Sequence, residues 1–178
     1  MERLTKKREN VSEAQLIDYL RPALKAANGA MVVNTSAGLS LGAKVLDWDD
    51  LLKPKEFKKL YGPYVNSKAV LNVITSALGR EIAADKITLR TADPGPNKTQ
   101  LTKGKGTPLW MRLFYAFLPA PDKGAKKIFD VGFSPQWGNQ TGIFVSGGKI
   151  ETLPPALADP AFRPSSCASA APKRRSGR

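Results

Sequence analysis

Two short β-branched runs joined by one long amphipathic stretch constrain this chain more than any other feature. Ala30 to Asn34, reading Ala-Met-Val-Val-Asn, lies between Asn28-Gly29 and Ser36-Ala37-Gly38. A short apolar run bounded by turn residues is the pattern of a strand buried on both faces. From Tyr64 to Asp85, Leu71, Ile74, Leu78 and Ile82 recur at helical spacing, the longest such stretch in the sequence. Lys86 to Ala92, with Ile87, Thr88 and Leu89, reads as the next strand, and Asp93-Pro94-Gly95 ends it. Strand, crossover helix and strand imply a right-handed parallel unit. The fold class is therefore α/β, a parallel sheet with flanking helices.

The remaining elements extend this unit on both sides. Ser12 opens a capping box with Gln15, and Val11 and Leu16 occupy the two positions of a hydrophobic staple, so a helix should begin there. Leu16, Leu20, Leu24 and Ala27 mark its expected apolar face, Pro22 should bend it, and Asn28-Gly29 should end it. Ala37 to Lys59 has no sustained period and reads as a surface excursion. Thr99 to Gly106 is polar and glycine-rich. Pro108 to Leu118, with Trp110, Leu113, Phe114, Tyr115 and Phe117, reads as a lid or a packing helix; Arg112, Pro119 and Pro121 argue against membrane insertion. Asp122 to Phe133 fits a further helix and Gly142 to Ser146 a last short strand, for about three strands in all. Trp137 reads as a structural aromatic.

Composition removes several kinds of chemistry. The 178 residues contain no histidine, which excludes Ser-His-Asp and Cys-His catalysis and histidine-bound zinc. The single cysteine, Cys167, allows neither an internal disulfide nor a cysteine metal cluster, so no metal site is expected. The net charge is +13, but nearly half of it comes from the two ends, where Arg3, Lys6, Lys7 and Arg8 at the start and Lys173, Arg174, Arg175 and Arg178 at the finish outweigh Glu2 and Glu9. No interior basic stripe is interleaved with stacking aromatics, so a nucleic-acid partner is not expected. No apolar run approaches the length of a membrane span, and the first ten residues are too charged for a secretory signal; a cytoplasmic location is the expectation.

Tyr64-Val65-Asn66-Ser67-Lys68 carries the most chemical information. Residues four apart share one helical face, so the phenol and the ammonium can converge on one ligand. A neighbouring ammonium favours the phenolate, which should lower the Tyr64 pKa and let the pair exchange a proton with an alcohol or carbonyl. The motif follows Val32-Val33-Asn34-Thr35-Ser36-Ala37-Gly38 at one strand end and precedes Pro94-Gly95, with Thr99 and Leu101, at another. Ligands of open α/β sheets bind at those carboxyl ends.

On these residues, and on the closing Gly142-Ile143-Phe144-Val145-Ser146-Gly147-Gly148-Lys149 with Leu153-Pro154-Pro155, the sequence resembles the short-chain dehydrogenases/reductases, especially retinol-dehydrogenase-like members. The resemblance covers about residues 12–160. It implies NAD or NADP as cofactor and an alcohol or carbonyl, apolar in character, as substrate. It also implies Tyr64 as the acid/base, Lys68 on the nicotinamide ribose, and Pro94, Gly95 and Thr99 beside the nicotinamide. The family's substrate-binding serine falls on Ala37 in an ungapped reading, with Ser36 one residue early; the role is assigned to Ser36. Lys98 reads as a solvated loop lysine, or as a contact to a cofactor phosphate.

The family's glycine-rich dinucleotide turn, its ribose selector and its first strands have no counterpart in the sequence; Gly104, Gly106, Gly147 and Gly148 make neither that fingerprint nor a Walker motif. The reading is thus a basic segment at 1–11, a carboxyl-terminal, partial catalytic domain of Rossmann type at 12–160, and a disordered basic tail at 161–178. The strand near Val32 would then be an open edge with uncovered apolar surface. The expectation is a truncated oxidoreductase, weak or inactive alone, that forms a homo-oligomer or takes a complementing chain. The alternative is a non-catalytic fragment or pseudoenzyme acting as an interaction module.

Overall fold

The computed structural model describes residues 13–38, 63–103, 107 and 109–153. The segment at 1–11, the capping residues Val11 and Ser12, most of the excursion at 37–59, Cys167 and the tail at 161–178 lie outside the described residues.

These residues form helix α1 (Glu13–Ala26), strand β1 (Ala30–Thr35), helix α2 (Pro63–Ile82) and strand β2 (Ile87–Ala92). Two short helices follow, α3 (Gln100–Lys103) and α4 (Leu109–Leu113), then α5 (Pro121–Phe133), β3 (Ile143–Ser146) and β4 (Lys149–Glu151). The sheet order is β1-β2-β3-β4, with β1, β2 and β3 parallel and β4 antiparallel to β3. The α/β architecture is the one expected. The fourth strand is an addition: Gly147 and Gly148, both at positive φ, turn the chain back within two residues, so that Ser146 pairs with Lys149.

Period-two alternation assigns each strand residue to a face. Ala30 and Val32 of β1 and Ile87 and Leu89 of β2 pack with Ile17 and Leu24 of α1 and Leu78 and Ile82 of α2. Val33, Ala92, Ile143 and Val145 point the other way, to Ile128, Val131 and Trp137. The sheet thus has α1 and α2 on one side and α5 on the other. On the α2 side the approach is close: a Cβ at Gly79 would meet the Gly142 backbone at 2.6 Å, so only a glycine pair lets the helix lie this near the start of β3.

The buried face of α1 is not the expected one. Ala14 and Ile17 are buried and Leu24 packs beside them, whereas Leu16, Tyr19 and Leu20 are exposed. Orientation is fixed by charge as well as by apolar spacing: Arg21 and Lys25 both reach Asp85, each at 2.7 Å, and Arg21 also reaches Glu81 at 3.0 Å. Pro22 stands inside the helix, and Asn28 and Gly29, both at positive φ, end it as the sequence implies.

Arg90, at the centre of β2, points to the α5 side and is 2 % exposed. Among the described residues its guanidinium meets no carboxylate. Nε donates to the Gln140 carbonyl (2.9 Å), Nη1 to those of Val131 (2.8 Å) and Gly132 (3.3 Å), and Nη2 to that of Gly138 (2.6 Å). Val131 and Gly132 belong to the last turn of α5, whose carbonyls have no helical partner and carry the negative end of the helix dipole. One side chain therefore ties that helix end and the following loop to the middle strand. Burial alone draws the guanidinium below its ordinary pKa, and the four carbonyls replace the water it has lost.

Replacing Arg90 with Met would leave those carbonyls buried without a donor, and should destabilise the chain by about 3 kcal/mol or more. Urea unfolding followed by circular dichroism would show this as a lower midpoint. An unchanged midpoint would contradict the clamp.

Candidate active site

The register at the sheet's carboxyl end builds the site. Ser36 N donates to the Ala92 carbonyl (2.8 Å) and Asp93 N to that of Val145 (2.9 Å), so both strand pairings continue one residue beyond the strands themselves. Ser36, Asp93 and Ser146 consequently form a row across the end of the sheet. By the same alternation they lie on the α2 face, opposite Ala92 and Val145.

Pro63 opens α2, a position where the missing N–H costs nothing, and Tyr64 and Lys68 follow one turn apart. The Lys68 ammonium donates to the Thr35 carbonyl at 2.9 Å, which pins α2 to the end of β1. Deeper along the same pair, Asn34 Nδ2 donates to Thr75 Oγ1 at 3.0 Å. An ammonium has three donors, and among the described residues one of those on Lys68 is used, by the Thr35 carbonyl. Tyr64 is 39 % exposed, open enough to meet a ligand.

The electrostatics differ from the sequence expectation. Burial pushes the Tyr64 phenol above its ordinary pKa, and the Asp93 carboxylate pushes it further the same way. The Lys68 ammonium, held on the Thr35 carbonyl, does not reverse this. Tyr64 is accordingly a phenol rather than a phenolate near neutral pH.

Ser36 is buried, and its hydroxyl donates to the Lys68 carbonyl at 3.3 Å. Ala37, half-buried beside it, has no donor to offer. Pro94 and Gly95 form a tight turn at the end of β2: Asp93 Oδ1 accepts from Gly95 N (2.8 Å), and Gly95 takes a φ of +72°. Asn97 Nδ2 donates to the Gly95 carbonyl (2.8 Å), and its amide rests on Gly124 of α5, where a Cβ would collide with it. Thr99 is drawn into a small turn, its N–H donating to Thr102 Oγ1 (2.9 Å). Lys127 Nζ, reaching across from α5, donates to the Pro94 carbonyl at 3.2 Å. Lys98 is half-buried, and its N–H donates to the Pro119 carbonyl at 2.9 Å.

Asp93, Ser146, Gly38 and Lys127 were not singled out by the sequence. Asp93 reads there as a turn residue before Pro-Gly. Only the sheet register, with the Ser146 Oγ hydrogen bond to Asp93 Oδ2 at 2.7 Å, brings out its position in the site.

The aromatic segment also departs from one of its readings. Leu109, Leu113, Phe114 and Phe117 are all exposed, Phe117 to 83 %, so these side chains do not pack into the core. The Trp110 side chain lies outside the described residues. Trp137, by contrast, is buried, with Nε1 donating to the Asp130 carbonyl at 3.0 Å.

Among the described residues no group of acidic or cysteine side chains is arranged to hold a metal ion, and no helix is long and apolar enough to cross a membrane. No protein-family model matches the chain, and no curated protein matches it by sequence. Solved structures do. A short-chain dehydrogenase from Salmonella enterica subsp. enterica serovar Typhi str. CT18 superposes with a TM-score of 0.51 at 17 % identity, covering 74 % of this chain and 46 % of that one. A short-chain type dehydrogenase/reductase from Mycobacterium ulcerans gives 0.53 at 15 % identity, covering 75 % and 46 %. The chain has the fold of these enzymes over the matched part and spans less than half of their length.

A phenol pKa raised on folding means that the folded chain holds its proton longer than the unfolded one. The associated stability is fully present below the ordinary value of 10.0 and is lost as pH rises through the folded value. Unfolding free energy should therefore fall with pH above about 10 more steeply in the wild type than in Tyr64→Phe. Matching slopes would show that Tyr64 does not titrate as described.

Proposed function

We propose that this chain forms the nicotinamide-side part of an NAD(P)-dependent oxidoreductase site of the short-chain dehydrogenase/reductase type, acting between an alcohol and a carbonyl compound. The observation that supports this best is the placing of Tyr64 and Lys68 on the first turns of α2, over the carboxyl ends of β1 and β2, with Lys68 pinned to Thr35. In this reading residues 12–160 correspond to the carboxyl-terminal half of such an enzyme, retinol-dehydrogenase-like in subtype.

The residues fit one end of the cofactor. The Lys68 ammonium, with one donor used among the described residues, suits the hydroxyls of a ribose, and the Pro94-Gly95 turn carries no side chain at Gly95. Thr99 borders the same turn. The pyrophosphate end has no matching glycine-rich turn among the described residues, so binding should be weak unless another chain completes it. When bound, the cofactor supplies the hydride.

The protein's part is to hold the substrate oxygen and move one proton. Tyr64 Oη donates a hydrogen bond to the carbonyl oxygen and passes its proton as the alcohol forms; solvent then reprotonates the phenolate. Lys68 keeps α2 on β1 and orients the ribose. Ser36, with its hydroxyl spent on the Lys68 carbonyl, adds no donor in this conformation. Loss of one such donor costs roughly 3 kcal/mol of transition-state stabilisation, in keeping with a weak enzyme. The exposed Leu109, Leu113, Phe114 and Phe117 suit an apolar substrate or a lid over it.

A second reading, an interaction module, is favoured by the edge position of β1 and by exposed Leu16, Tyr19 and Leu20 on α1 and Phe129 and Phe133 on α5. Self-association or a complementing chain would cover these groups.

Titration with NADH and NADPH, read by nicotinamide fluorescence and thermal stability, separates the two. Saturable binding by the wild type and its loss in a folded Tyr64→Phe/Lys68→Ala variant is the outcome expected of the oxidoreductase reading. No binding by the folded wild type would overturn it and leave the interaction module.

A further inference from the structure

The fold leaves the apolar segment beyond the Pro94-Gly95 turn uncovered. Leu109 and Leu113 of α4, with Phe114 and Phe117 just after it, are between 58 % and 83 % exposed. Large apolar side chains crowded into one short stretch of surface mark a contact with something else. Exposure alone does not say with what. The charges around them do. Leu109 and Leu113 share one face of α4, and Arg112, exposed, stands on the adjoining flank. α3 packs beside α4, and Lys103 at its end sets its ammonium 4.8 Å from the centre of the Tyr115 ring. From Pro94 to Pro121 the sequence holds neither Asp nor Glu, and the first carboxylate beyond, Asp122, has Lys123 next to it. No carboxylate of the segment itself neutralises Lys103 and Arg112.

We propose that the α4 segment docks on an anionic lipid surface, with Leu109, Leu113, Phe114 and Phe117 entering the acyl boundary and Lys103 and Arg112 meeting lipid phosphates.

The order of these groups matches the layers of such a surface. Acyl chains take leucine and phenylalanine, the headgroup level suits a tyrosine ring, and phosphates take the long cationic side chains that snorkel to them. An apolar substrate or an apolar protein face would cover the four side chains but leave both cations without an opposite charge. The contact is shallow, because α4 has only five residues and no described helix is long and apolar enough to span a bilayer. Arg112, Pro119 and Pro121 rule out an inserted helix; at the surface Arg112 becomes a headgroup contact instead. The segment is also anchored at its base. Lys98 N donates to the Pro119 carbonyl at 2.9 Å, which closes it beside the Pro94-Gly95 turn, and Lys127 holds that turn to α5. A docked chain would therefore keep the mouth of the candidate site close to the bilayer, so that an apolar alcohol or carbonyl compound enters from the lipid. This last consequence rests on the oxidoreductase reading, whereas the docking does not.

Co-sedimentation of the full chain with vesicles of phosphatidylcholine, alone or with about one-fifth phosphatidylserine, tests the docking without any cofactor. The wild type should bind the anionic vesicles, and added salt should weaken the binding. Leu113→Ser/Phe117→Ser keeps every charge of the chain, both basic ends included, and should bind at least roughly tenfold more weakly. Both side chains are exposed, so circular dichroism should stay that of the wild type. Lys103→Gln/Arg112→Gln should weaken binding to the anionic vesicles as well. Undiminished binding by the folded serine variant would mean that the basic ends alone hold the membrane, and would overturn the proposal. So would equal binding to phosphatidylcholine alone, or no binding by the folded wild type. A dimer that the serine variant abolishes, with no vesicle binding, would give the patch to a second copy of the chain instead. Vesicle binding without NADH binding keeps the docking and removes the oxidoreductase reading.

Discussion

The middle strand, β2, is buried on both faces, and most of the structure follows from what its alternate side chains must satisfy. Arg90 points to one face with a charge that no carboxylate among the described residues neutralises, and the four carbonyls it gathers fix the end of α5 and the loop leading to β3. Ile87, Leu89 and Thr91 alternate with it and carry the α1 and α2 side. An ion buried in this way is stable only with its donors satisfied, so α5 cannot shift along the sheet without breaking several charge-assisted bonds together. That fixes α5, and through Gly124 and Lys127 it fixes the Asn97 and Pro94 turn at the mouth of the site.

The site is accordingly a product of register. Three consecutive strand ends supply Ser36, Asp93 and Ser146 in one row, and α2 lays Tyr64 and Lys68 above it. Two groups of opposite charge stand at this end of the sheet, each held by named partners. Lys68 is anchored on a backbone carbonyl, and Asp93 is held by a hydroxyl and an amide. Burial and the Asp93 carboxylate both push the Tyr64 phenol above its ordinary pKa, the opposite of the direction that the spacing of a tyrosine and a lysine suggests.

Much of this was legible in the sequence because periodicity reports which residues share a face, although β1, expected to be buried on both faces, is half-buried at most. The two β-branched runs, the long helix between them and the Asn28-Gly29 stop all formed where their patterns indicated. The face of α1 was misread for a physical reason: Leu16 and Leu20 outweigh Ile17 in apolar content, but the Arg21 and Lys25 bonds to Asp85 rotate Ile17 and Leu24 inward. The hairpin to β4 could have been read from Gly147-Gly148 between Phe144-Val145 and Lys149-Ile150. Ser36 lies where its number suggested, yet its hydroxyl is turned to the Lys68 carbonyl, a direction that no linear pattern encodes. Asp93 was visible only as a turn residue, since its partner Ser146 is far away in sequence and reaches it through the register of β2 and β3.

Hydrogen exchange of the backbone amides with and without NADH reads each strand end separately. Added protection is expected at 35–38, 64–68 and 93–99, the three segments brought together at the carboxyl end of the sheet, with little change at the amino ends of β1 and β2. Protection confined to other segments, or none at these three while NADH is bound, would contradict a ligand site built from Tyr64, Lys68 and the Pro94-Gly95 turn.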